Sequence, residues 1–95
     1  MSHIDIHAYH SMDHAHARKA ADELSKDLAD KFDIQYRWDG DVIHFERPGV
    51  QGEIEVAERE ILIRAKLGLM LALLRGPIEA EVCRYLQDEF GCTIT

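Results

Sequence analysis

The sequence predicts an α+β fold, a two-layer sandwich in which a mostly antiparallel sheet carries both helices on one face. Several short segments alternate apolar and polar residues, the period of strands with one buried face. Two longer segments repeat apolar residues at helical spacing. The predicted element order is β-α-β-β-β-β-α, and we expect residues 1–95 to form one domain.

A strand and a helix are predicted at the start of the chain. Ile4, Ile6 and Ala8 alternate with polar residues, which is typical of a short strand. Ser11 is the expected N-cap of a helix near residues 12–32, because its hydroxyl would satisfy an unpaired backbone N–H. The predicted buried stripe of this helix consists of Ala17, Ala20, Ala21, Leu24, Leu28 and Phe32.

A hairpin and two further strands are predicted in the middle of the chain. Asp39-Gly40 is a preferred two-residue turn, and this turn places Tyr36 opposite Ile43. Pro48-Gly49 ends the second hairpin strand, and alternation then resumes in two more strands. The first strand is expected to pair with the last of them or to lie parallel beside the second.

The second helix is predicted to follow Gly76-Pro77, with the proline at the first helical position. Glu79 and Glu81 would then lie in the first turn, where the helix dipole favours acids. Gly91 is the expected end of this helix. Its predicted buried stripe consists of Ile78, Val82, Tyr85, Leu86 and Phe90.

Composition limits the classes of function. The chain has 11 basic and 18 acidic residues, so its net charge of −7 argues against a general nucleic-acid binder. No apolar run approaches the roughly 20 residues of a transmembrane segment, and no signal peptide is visible, so we expect a cytoplasmic protein. Cys83 and Cys92 are expected to be reduced thiols. No cofactor is predicted.

The densest apolar stretch is the strongest candidate for a binding surface. Whether helical or extended, it would leave apolar side chains without partners in so small a domain, unless the core takes them all. Its basic ends suit an anionic or amphipathic partner. The candidate residues are Lys66, Leu67, Leu69, Met70, Leu71, Leu73, Leu74 and Arg75.

An acyl-binding or enzymatic function is the alternative. Glu79 projects onto the apolar face of the second helix, and His14 lies at the edge of the apolar stripe of the first. Either side chain could act as an acid or base at the mouth of a cavity for a 3-hydroxyacyl chain. Ser11 is interpreted as a helix cap and not as a nucleophile. No catalytic signature appears in the sequence, so a non-enzymatic role is preferred.

A metal site at the N-terminal histidines is a further alternative. In a regular strand His3 and His7 would be about 13 Å apart, near the limit for two imidazoles that share one ion. We therefore interpret this segment as a solvent-exposed polar face rather than as a metal site. The ligand candidates are His3, Asp5, His7 and His10.

Motifs over nearly the whole chain resemble a bacterial family named for the polyhydroxyalkanoic acid system, encoded near polymer-synthesis or granule proteins. The motifs are His10-Ser11, Ala17-Arg18, Phe45-x-Arg47-x-Gly49-Val50-x-Gly52, Lys66-Leu67-Gly68-Leu69 and Gly76-x-Ile78-Glu79. The family often has Leu-Gly after His-Ser, where this chain has Met12-Asp13.

The resemblance implies a role in cytoplasmic storage of polyhydroxyalkanoate, at or near the granule surface, and implies no catalytic residues. Together with the apolar run, it leads to the hypothesis of a non-enzymatic accessory module. Such a module would self-associate and would use residues 66–76 to bind the granule, a granule protein or an acyl ligand.

Overall fold

Six antiparallel strands form one sheet in the computed structural model, which describes residues 2–94. The elements are β1 (Ser2–Tyr9), α1 (His14–Phe32), β2 (Gln35–Asp39), β3 (Val42–Arg47), β4 (Val50–Val56), β5 (Glu60–Leu67), a 3₁₀ helix (Leu69–Leu74), α2 (Arg75–Phe90) and β6 (Thr93–Ile94). The strand order is β2-β3-β4-β5-β1-β6. The predicted α+β class is confirmed.

The first strand pairs with the last strand of the meander, as one of the two alternatives predicted. Ile4 lies opposite Ala65 and Ile6 opposite Ile63, so β1 and β5 are antiparallel. The sixth strand was not predicted. It pairs with β1 only at Ala8 and Tyr9, and two residues are too few to show a periodicity in the sequence.

The inward side chains of the sheet and the buried side chains of both helices form one apolar core. Helix α1 contacts α2, β2 and β4, and α2 contacts β1. Ala17, Ala20 and Ala21 are fully buried, and such small side chains let α1 approach its neighbours closely. Leu24 and Leu28 extend the same stripe into the core, so the predicted buried residues of α1 are confirmed except for Phe32, which is only partly buried.

The β2–β3 hairpin turns at Gly40-Asp41 and not at Asp39-Gly40. Tyr36 therefore lies opposite Phe45, which shifts the predicted register by two residues. Gly40 has φ 62°, a conformation that suits glycine at the first position of a hairpin turn. Because a shift of two residues keeps every side chain on its face, the predicted core positions are unaffected.

Contacts with α1 fix this turn in place. The Trp38 indole donates a hydrogen bond to Asp22 at 3.0 Å, and the Arg18 guanidinium lies 4.1 Å from the centroid of the Trp38 ring. Arg18 also donates to the Gly40 carbonyl at 2.8 Å. Hydrogen bonds from His14 and Arg18 hold the pKa of Asp41 below its usual value. No local pattern could reveal these long-range contacts, and they favour the observed turn.

Both predicted helix starts are wrong. The N-cap of α1 is Asp13 and not Ser11, because the Asp13 carboxylate accepts a hydrogen bond from the His16 N–H at 2.8 Å. This contact also holds the pKa of Asp13 below its usual value. Helix α2 begins at Arg75, directly after the 3₁₀ helix, so Pro77 is its third residue. Proline is tolerated there because first-turn N–H groups have no intrahelical acceptor, and the two predicted first-turn acids lie further along the helix.

A charged cluster joins α1 to α2. Glu81 accepts hydrogen bonds from Arg84, at 2.9 and 3.2 Å, and from Lys31 of α1. Arg84, Asp27 and Lys31 together lower the pKa of Glu81 to about 2. Burial and the neighbouring Glu81 raise the pKa of Asp27. The pKa values of the two carboxyl groups are therefore shifted in opposite directions.

We expect this cluster to weaken in acid. The pKa of Glu81 is lower in the folded protein than its ordinary value of 4.5, so its contribution to stability is present above pH 4.5 and is lost as the pH falls towards about 2. The Glu81→Gln variant should therefore lose less stability across that range than the wild type. Urea unfolding at several pH values checks this, with Glu89→Gln, an exposed position on the same helix, as the control. Parallel curves for Glu81→Gln and the wild type would contradict the assignment.

Candidate interaction surface

The apolar run divides into a strand end and a short helix. Leu67 is the last residue of β5 and is 1% exposed, and Leu69–Leu74 form the 3₁₀ helix. A 3₁₀ helix has three residues per turn, so side chains three positions apart share a row. One row, Leu71 and Leu74, packs against the core. The other two rows face away from it.

The outward rows carry an apolar ridge, defined as Leu69, Met70 and Leu73. These side chains are 83%, 91% and 90% exposed. Between residues 2 and 94, the other exposed large apolar side chain is Tyr9, at 45%. The side chains of the three ridge residues are thus almost fully exposed, and they lie within five consecutive positions. Contiguous apolar patches of a few hundred Å² are often functional.

The turn between β3 and β4 contacts the 3₁₀ helix that carries the ridge. The Gly68 N–H donates to the Gly49 carbonyl at 2.8 Å, and the Leu71 N–H donates to the Gly68 carbonyl at 3.0 Å. A Cβ at Gly49 would lie 2.9 Å from Leu71 Cδ1, and Gly49 has φ 85°. Glycine is therefore required at this position both for its backbone conformation and for the contact. From the sequence, Gly49 was predicted to end a strand, but its contact with Leu71 was not predicted.

The charges around the ridge are basic. Residues 66–76 include two of the 11 basic residues, Lys66 and Arg75, and none of the 18 acidic ones. Both basic side chains are exposed. Arg75 Nε lies 3.4 Å from Glu79 Oε1, an ion pair within α2. In an otherwise acidic protein, the ridge is thus bordered by hydrogen-bond donors of positive charge.

The structure does not bring the predicted acid and base together at a cavity. Glu79 pairs with Arg75, and His14 Nε2 lies 2.9 Å from Asp41 Oδ1 on the exposed surface. The enclosed apolar cavity between helices and sheet has a volume of about 30 Å³, with Leu28, Ile63 and Val82 in its wall. Neither His14 nor Glu79 lines it. Such a volume holds about one water molecule, whereas ligand pockets measure about 300–1,000 Å³.

Larger concavities are open grooves on the surface. One of them, about 740 Å³, lies at the end of the sheet beside Gly49, and its lining includes Asp33, Arg47 and Lys66. Arg47 is already engaged, because its guanidinium donates to the Phe32 carbonyl at 2.6 Å at the end of α1. Burial raises the pKa of the Cys83 thiol, which keeps it protonated near neutral pH. Cys83 and Cys92 are both free, as predicted.

The N-terminal histidines are dispersed. His3, Asp5 and His7 alternate along the polar face of β1, and His7 Nδ1 lies 3.0 Å from Glu60 Oε2. His10 Nδ1 instead accepts a hydrogen bond from the Met12 N–H at 3.1 Å. Among residues 2–94, no three histidine, cysteine or acidic side chains are grouped so that they could hold a metal ion.

A comparison with models of protein families identifies the family of this chain. The model of the family described as "Putative polyhydroxyalkanoic acid system protein" (PHA_gran_rgn) matches residues 4–90. The chain belongs to this family. The match runs from β1 to the end of α2 and therefore includes the whole apolar ridge. No curated protein and no solved structure matches the chain.

The family places the chain in the polyhydroxyalkanoic acid system, so the resemblance stated from the sequence motifs is confirmed. In the described part of this family member, no helix is both long enough and apolar enough to span a bilayer.

Proposed function

We propose that this member of the polyhydroxyalkanoic acid system family is a non-enzymatic interaction module that attaches to the polyhydroxyalkanoate granule in the cytoplasm. The attachment surface is the apolar ridge, with Lys66 and Arg75 at its border. The observation that carries the proposal is the 83–91% exposure of Leu69, Met70 and Leu73 on a preformed helix. Membership of the family supplies the setting.

The interior of the protein supports binding at the surface rather than chemistry. The enclosed cavity of about 30 Å³ has no room for a 3-hydroxyacyl chain. The two acid–base candidates are already engaged away from that cavity, because His14 contacts Asp41 and Glu79 pairs with Arg75. The acidic remainder of the chain would keep the attached protein hydrated, because charged side chains favour water.

The proposal predicts that one substitution on the ridge removes granule binding. We expect Leu73→Asp to reduce the fraction of protein that co-sediments with native granules by roughly tenfold or more, which corresponds to about 1.4 kcal/mol. The reason is that a carboxylate at a 90% exposed position must be desolvated when the ridge is covered. Native granules isolated with their protein coat are the binding partner in this assay.

Ala15→Asp is the matched control. It adds the same charge at an exposed position in the first turn of α1, where the helix dipole favours an acid. This variant should bind granules like the wild type. Equal binding by Leu73→Asp and the wild type, or equal loss in both variants, would contradict the proposed attachment surface.

A further inference from the structure

We propose that the apolar ridge enters the polyester phase itself, and not a pocket on a granule protein or the surface of a second copy of this chain. This inference rests on the proposed function and names the partner of the same surface. Three properties of the ridge, namely its area, its bordering charges and its rigid support, distinguish a polymer surface from a protein partner.

The area of the ridge is small for a protein interface. Two leucines and one methionine expose roughly 400 Å² of apolar surface, whereas a standard interface buries about 800 Å² on each partner. The neighbours of the ridge along the chain are small or charged, namely the half-buried Ala72, the exposed Pro77 and the exposed Lys66 and Arg75. A stable dimer needs about twice the area that the ridge provides. An apolar phase needs no shape complementarity, because each side chain transfers into it independently.

The bordering charges fit the chemistry of a polyester. Ester carbonyl groups accept hydrogen bonds and donate none, and the polymer surface itself carries no formal charge. Lys66 and Arg75 are donors only, and the Glu79 carboxylate beside Arg75 is already paired with it at 3.4 Å. Side chains of this kind extend their charged ends to the interface while their stems cover apolar surface. The ridge and its border thus match an apolar phase covered with acceptors.

The ridge is also preformed. The hydrogen bonds between Gly49, Gly68 and Leu71 and the packing of the inward row hold the 3₁₀ helix against the β3–β4 turn. Entry into a surface therefore requires no ordering of the backbone, which limits the entropic cost of binding. A shallow, rigid protrusion of three side chains suits insertion below the surface of a polymer particle.

Binding to bare polymer tests the inference. Protein-free particles of amorphous poly(3-hydroxybutyrate) are titrated with the full chain, and co-sedimentation gives an apparent Kd. The triple variant Leu69→Ser, Met70→Ser and Leu73→Ser should raise that Kd roughly tenfold or more. Tyr9→Ser, which changes the other exposed large apolar side chain, should leave it within about twofold. If thermal unfolding shows that the triple variant is not folded, Leu73→Ser alone should still raise the Kd roughly threefold.

Each outcome decides between partners. Undiminished binding of the serine variants to bare particles would overturn the inference. Binding of the wild type to native granules but not to bare particles would also overturn it, while the proposed function would stand with a granule protein as partner. Binding to bare particles but not to native granules would support the inference and refute the proposed function. A stable dimer in sedimentation velocity that the serine variants dissolve would show that a second copy covers the ridge, which would overturn the inference.

Discussion

Replacing Leu24 with alanine should lower the free energy of unfolding by about 2–5 kcal/mol, the range for leucine-to-alanine changes in well-packed cores. Leu24 is fully buried in the middle of α1, in the core that joins both helices to the sheet. The alanine variant loses the transfer free energy of the deleted atoms and leaves a cavity. Since domains of this size are stable by only about 5–15 kcal/mol, this variant should be close to unfolding.

Urea denaturation measures the effect, with Leu73→Ala as the matched control. The chemical change is the same, but Leu73 is 90% exposed, so its removal should alter the free energy of unfolding by no more than about 0.5 kcal/mol. Equal losses in the free energy of unfolding for Leu24→Ala and Leu73→Ala would mean that the ridge is buried in the protein in solution. The account of the ridge as a free surface would then be wrong.

Leu71→Asp should destabilise the protein by about 2–4 kcal/mol, because it removes a partly buried apolar side chain that packs against the core and places a carboxylate against its apolar neighbours. Leu71 belongs to the inward row of the 3₁₀ helix and packs over Gly49. Leu73→Asp, two positions along the same helix, should change stability by no more than about 0.5 kcal/mol while it removes granule binding.

This pair of variants separates the structural role of the 3₁₀ helix from its proposed role in binding. Thermal or urea unfolding of both proteins, measured under identical conditions, gives the comparison. A larger loss of stability for Leu73→Asp than for Leu71→Asp would mean that Leu73, and not Leu71, faces the core. That result would contradict the assignment of the ridge.

The fold could be predicted from the sequence because alternation and helical spacing are local patterns. The stripe from Ala17 to Leu28 followed from them, and the pairing of β1 with β5 was one of two alternatives that they left open. The hairpin register and the cap of α1 did not follow from local patterns. The turn is fixed by Trp38 and Arg18 contacts across the fold, and Asp13 caps a helix whose start the apolar spacing does not define.

The sequence predicted which segment forms the candidate surface, but not which of its side chains are exposed. The composition of residues 66–76 shows an excess of apolar side chains, but not which of them the core accepts. The division depends on the 3₁₀ geometry, in which Leu71 and Leu74 share the inward row. The role of Gly49 depends on a contact between distant parts of the chain.

The pair of carboxyl groups between the helices was also not predictable. Asp27 and Glu81 are 54 positions apart, and the four-residue spacing of Asp27 and Lys31 is typical only of a pair within one helix. The structure adds Glu81 and Arg84 to that pair. Packing of α2 against α1 thus turns a surface ion pair into a partly buried cluster.

Oxidation of Met70 by hydroxyl-radical footprinting, with and without native granules, tests the central claim most directly. Met70 is 91% exposed, so it should oxidise rapidly in the free protein and several-fold more slowly on granules, while the partly buried Met12 should react at the same rate in both. Slow oxidation of Met70 in the free protein, or no protection on granules that bind the chain, would contradict the claim that this ridge is the attachment surface.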